Sequence, residues 1–97
     1  MIYTIEQIRS LTAPIASAYS IKNMRLFGSY ARGEAAEHSD VDLIIDRGTV
    51  CSGFVLGGLY ADLQDALQKE LDLVTNQGAN DDFLLAIAPD EVMLYES

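Results

Sequence analysis

Two aspartates one residue apart, Asp40 and Asp42, stand at the head of the apolar run Val41-Asp-Leu-Ile-Ile45. If that run is a strand, alternate side chains share a face, so Asp40 and Asp42 project together while Val41, Leu43 and Ile45 turn into a core. Two carboxylates held this close repel each other and raise one another's pKa, and a fold that keeps both needs a counter-charge. A divalent cation is the simplest one. Magnesium takes hard oxygen ligands and is commonly held by one or two carboxylates together with the phosphates of a substrate. Gly28-Ser29 supplies the complementary half, a backbone that can approach a bound anion and a hydroxyl that can donate to it. A third acid, Asp72, interrupts the apolar run Leu71-Asp-Leu-Val-Thr75. Such a residue is costly unless it is paired or coordinates a cation. If its strand lies beside that of Asp42, three carboxylates converge, with room for two metal ions in the manner of two-metal phosphoryl chemistry.

The elements that must position these groups are legible around them. Thr4-Ile-Glu-Gln7 reads as a capping box opening a helix, with Ile5, Ile8, Leu11, Ile15 and Ala18 or Tyr19 as its buried stripe. Pro14 is expected to end, kink or restart that helix near Thr12-Ala13. Met24 to Phe27 reads as the first strand, Tyr30 to Ser39 as a loop or short helix, and Val41 to Asp46 as the second strand. The segment Val50 to Gly58 reads equally as a flap or as the lead into a helix. That helix has Leu59, Leu63, Ala66 and Leu67 on one side and Asp62, Gln64, Asp65 and Gln68 on the other. Leu71 to Thr75 is a third strand. Asp81 or Asp82 is placed to cap a short helix through Ile87, Pro89 stops it, and Val92 to Tyr95 is a last strand. Strands alternating with helices predict an α+β (α/β) fold, a small mixed sheet with helices on one face and the carboxylate face open.

Composition bounds the function. The chain has 97 residues, 49% hydrophobic and 22% charged, which predicts a single folded domain over residues 1–97. A formal net charge of −9, with six lysines and arginines in all, argues against a grip on nucleic acid, because neutralising phosphates takes clustered cations. The same acidity would steer a basic protein partner. No apolar run approaches a membrane span and the start lacks signal-peptide character, so the expectation is a cytoplasmic protein with no membrane partner. The lone Cys51 has no internal disulfide partner and no neighbouring base, which fits a reducing compartment and an inert thiol.

Gly28-Ser29, ten intervening residues, then Asp40-Val-Asp42 resembles the signature of nucleotidyltransferases of the DNA polymerase beta superfamily. Within it, the chain is most similar to the minimal nucleotidyltransferase (MNT) family, through Leu26-Phe-Gly-Ser-Tyr-Ala-Arg-Gly-Glu34, Ser39-Asp-Val-Asp-Leu43, Gly57-Gly-Leu59 and Leu71-Asp-Leu-Val-Thr75. The resemblance implies a polymerase beta palm-like fold, with Asp40, Asp42 and Asp72 as metal ligands and catalytic carboxylates. Asp72 would be general base or second-metal ligand. It also implies Mg2+, two ions, as cofactor, ATP as substrate, and transfer of AMP to a hydroxyl, a tyrosine, of a HEPN-family toxin, with this chain as the antitoxin.

Gly28 and Ser29 would then hold the beta and gamma phosphates, and Arg32 is a candidate for a bidentate phosphate contact. Each has a plainer reading: a turn for Gly-Ser, a solvated loop residue for Arg32, a turn before a strand for the Asp pair, an exposed edge acid for Asp72. His38, the one histidine, reads best as a surface loop residue. Two other functions stay open: a non-catalytic antitoxin that occludes the toxin, and nucleotidyl transfer to a small molecule.

Overall fold

The computed structural model describes residues 2–48, 53–76 and 79–97. Helix α1 (Ile5–Ala18) opens on the expected capping box, with the Thr4 hydroxyl accepting from the Gln7 N–H and the Gln7 side chain accepting from the Thr4 N–H. It does not end at Pro14. The ring removes the N–H that would bond the Ser10 carbonyl, but both residues lie on the exposed side, where that loss is cheap. The buried stripe also differs from the expected one. Ile8, Thr12 and Ala16 are buried, whereas Leu11 is 37% exposed. Thr12 is admitted to the core because its hydroxyl donates to the Ile8 carbonyl at 2.7 Å, leaving no polar group unsatisfied.

Strand β1 (Asn23–Phe27) runs directly into the short helix α2 (Gly28–Arg32), and β2 (Val41–Asp46) follows. Helix α3 (Gly53–Leu67) buries Leu59, Leu63 and Leu67 at four-residue spacing, while Ala66 is only half-buried. Of the segment left open between flap and helix, residues 53–58 are the first turns of α3, and the rest, with Cys51, lies outside the described residues. Strand β3 (Leu71–Thr75), helix α4 (Asp81–Ile87), a 3-10 turn at Ala88–Asp90 and β4 (Val92–Glu96) complete the order. The cap of α4 is Asn80, whose side chain accepts from the Phe83 N–H at 2.8 Å. Asp81 and Asp82 fall in the first turn instead, where their charge favours the positive end of the helix.

The four strands form one mixed sheet in the order β3-β2-β1-β4, with β1 antiparallel to β2 and β4, and β2 parallel to β3. Parallel neighbours need a crossover, and α3 is that crossover. Helices α1 and α3 bury one face over Met24, Leu26, Val41, Leu43, Ile45 and Leu71. The opposite face carries Phe27, Asp42 and Asp72 in one row. Helix α4 reaches this side, with the Phe83 ring edge-on to Phe27 at 5.8 Å between centroids.

Candidate active site

The pleat and the register assemble the site. In the parallel β2–β3 ladder Asp42 is the partner of Asp72, and across the antiparallel β1–β2 ladder it is the partner of Phe27, the last residue before Gly28. The two acids that sequence places in separate runs thus stand side by side on the face opposite α1 and α3. Asp40 lies just ahead of β2, on the same side by alternation, and is exposed, as is Asp72.

Asp42 is the inner member of the group. Burial raises its carboxyl above the usual aspartate range, the nearby charges of Asp72 and then Asp40 raise it further, and Arg32 works in the opposite direction. The other three sequence-predicted charged residues, Asp72, Asp40 and Arg32, therefore all act on Asp42. The three carboxylates are neighbours and not a closed cage: among the described residues no three His, Cys, Asp or Glu side chains are drawn together tightly enough to hold a metal ion. Such a set fits a cation that completes its shell with substrate phosphates and water, which is the habit of magnesium, and does not fit an all-protein site.

Gly28 forms the wall of this site. It has φ +75, a left-handed conformation, and a Cβ built there would press into Asp42 Oδ2 and come 3.0 Å from Cγ. The sequence suggested glycine here as a means of approaching a bound anion. The geometry adds a second reason, room for the Asp42 carboxylate. Ser29 is half-buried beside it in α2, and the Ser29 carbonyl accepts from the Glu34 N–H at 2.9 Å, closing the turn that returns the chain toward β2.

Arg32 is at the edge of this group but does not turn its guanidinium freely into it. Its Nε donates to Glu34 Oε1 at 2.8 Å, and Nη1 lies 3.7 Å from Asp90 Oδ2; these contacts, Glu34 foremost, raise its pKa. A second arginine, Arg25, is a feature that the sequence reading missed. It shares the open face and donates to both oxygens of Glu91, at 2.7 and 3.2 Å, and to Asn76 Oδ1. Adjacent residues Asp90 and Glu91 therefore hold one arginine each, tying the approach to β4 to α2 and β1. Separations of 58 and 66 positions leave no local signal for either pair. His38 is exposed on the loop before Asp40, as its lack of partners suggested.

The match to a family model decides what this arrangement belongs to. Residues 10–97 fit the model described as "Polymerase beta, Nucleotidyltransferase". The chain is a nucleotidyltransferase of the polymerase beta family. This nucleotidyltransferase is 37% identical over 75 residues to the protein adenylyltransferase MntA of Thermococcus cleftensis, covering 73% of its own length and 76% of that protein. Its fold matches a solved toxin-antitoxin structure with AMP-PNP, at a TM-score of 0.79 and 20% identity, over 92% of this chain and 73% of that one. It matches equally a complex of tri-AMPylated Shewanella oneidensis HEPN toxin with its MNT antitoxin, at a TM-score of 0.74 and 17% identity, over 97% of this nucleotidyltransferase and 74% of the other chain. At such identities the likeness is one of fold alone. Among the described residues no helix is long and apolar enough to cross a membrane.

Proposed function

We propose that this chain is a protein adenylyltransferase that moves AMP from ATP to a hydroxyl, a tyrosine, of a partner HEPN toxin, and so serves as the antitoxin of the pair. The observation that carries this reading is the in-register pairing of Asp42 with Asp72, with Gly28 packed against the Asp42 carboxylate.

In this reading Gly28 and Ser29 hold the beta and gamma phosphates through backbone N–H groups and the hydroxyl. Arg32 exchanges Glu34 and Asp90 for a phosphate oxygen pair, a trade between carboxylate and phosphate that a planar guanidinium makes readily. Asp40, Asp42 and Asp72 would hold Mg2+, two ions, whose contribution when bound is to offset the triphosphate charge and to lower the pKa of the acceptor hydroxyl. Asp72, exposed on the outer strand, faces the acceptor side and takes the proton as the hydroxyl oxygen bonds to the alpha phosphorus. The bond from that phosphorus to the bridging oxygen breaks, and pyrophosphate leaves.

The test is to incubate the protein with labelled ATP, Mg2+ and the product of the adjacent reading frame, and to weigh the partner afterwards. A mass gain of one or more adenylyl groups, lost with Asp42→Asn, supports transfer. Full inhibition of the toxin by Asp42→Asn without any mass gain would place neutralisation in occlusion instead. ATP consumed with a purified small acceptor and no protein would move the activity to small molecules.

A further inference from the structure

Beside the site runs a trough that the chemistry above does not use. One hollow of about 340 Å³ is walled by the loop before β2, including His38 and Asp40, and by Gln68, Lys69 and Glu70 ahead of β3. A second, of about 530 Å³, shares Gln68, Lys69 and Glu70 and continues over the outer side of α3 at Gln64 and Asp65. Sharing those three residues, the two hollows make one path from Gln64 and Asp65 on α3 to Asp40. The backbone ties the junction together: the Val41 N–H donates to the Glu70 carbonyl at 3.1 Å, and Gln68 takes a left-handed φ of 54 to turn the chain out of α3.

The charge along this path is mostly negative. Asp65, Glu70 and Asp40 line it, all exposed. Its lysine, Lys69, is committed to the wall, donating to the Glu37 carbonyl at 2.8 Å with its ammonium 6.0 Å from the Tyr30 ring centroid. Polar walls, an open top and exposed carboxylates fit an extended cationic polypeptide better than a nucleotide, whose phosphates they would repel.

We propose that this trough seats a lysine- and arginine-bearing segment of the acceptor protein, laid from Gln64 towards Asp40 so that its hydroxyl arrives at the Asp40, Asp42 and Asp72 group. This rests on the transferase reading for the identity of the reaction, but the seat can be tested without any reaction. The probes are two short synthetic peptides with a central tyrosine, one flanked by lysines and one by glutamates. Titrated into the isotope-labelled protein, the lysine peptide should shift the amide signals of Gln64 to Glu70 and of His38 to Asp40, and the glutamate peptide should not. The double substitution Asp65→Lys, Glu70→Lys should weaken the lysine peptide about tenfold or more and leave ATP affinity unchanged. Asp65→Asn with Glu70→Gln should fall between. Equal shifts from both peptides, or shifts located away from these residues, overturn the seat whether or not transfer is seen. Absence of adenylyl transfer to a peptide that does bind the trough would count against the transferase reading alone.

Discussion

Gly28 and Asp42 are fitted to one another: the absent side chain of the first is the space occupied by the carboxylate of the second. Gly28→Ala should therefore do two kinds of damage. The left-handed backbone alone costs about 1–2 kcal/mol, and displacement of Asp42 removes transfer. Gly33 offers the control, since it has the same φ of +75 with nothing within 4 Å of a built Cβ. Gly33→Ala should show a similar backbone cost by urea unfolding while Asp42 stays in place and transfer to the partner persists.

The acidity of the site has a stability consequence. Burial, Asp72 and Asp40 raise the folded-state pKa of Asp42 above its unfolded value. Its stabilising contribution is then complete below the ordinary aspartate range and is lost as pH rises through the raised value. Asp42→Asn removes that penalty. At pH 7 and without divalent cations the variant should be the more stable protein, by at most about 1 kcal/mol given the partly solvated setting, or roughly 4–8 °C in Tm. The gap should close towards about pH 3. Mg2+ should narrow it at pH 7 by raising the wild type only. A Tm for Asn that is equal or lower at neutral pH contradicts this picture of the site.

The two arginines predict unequal costs. Arg25 and Glu91 are 17% and 16% exposed, so Glu91→Gln leaves a largely buried guanidinium short of its counter-charge. A loss of about 2–3 kcal/mol is expected, somewhat under that of a fully buried pair. Glu34→Gln, which releases the exposed Arg32, should change stability by about 0.5 kcal/mol or less. Chemical denaturation of both variants measures the difference.

The parts of this structure that were legible beforehand are those written in short-range chemistry. The Thr4 and Gln7 pair announced α1, and alternation along Val41 to Asp46 placed Asp42 opposite the core. The adjacency of Asp72 was only conditional on a β2–β3 pairing, because a parallel register is made by the α3 crossover and not by either strand's residues. Leu11 and Thr12 exchanged roles because one hydroxyl bond to Ile8 lets a threonine into the core. Asn80 took the cap from Asp81 because the helix starts one residue earlier than a cap at the first acid implies. The clasp of Arg32 by Asp90 depends on where the chain returns after α4, information that no local window holds.

The most direct test of the central claim, that these carboxylates admit a triphosphate only together with a cation, is a calorimetric titration of ATP into the wild type and Asp42→Asn, each with and without Mg2+. The account predicts binding to the wild type that depends on Mg2+, and a loss of about a hundredfold or more in affinity with Asn in the presence of the ion. Equal ATP affinity in all four titrations would contradict it.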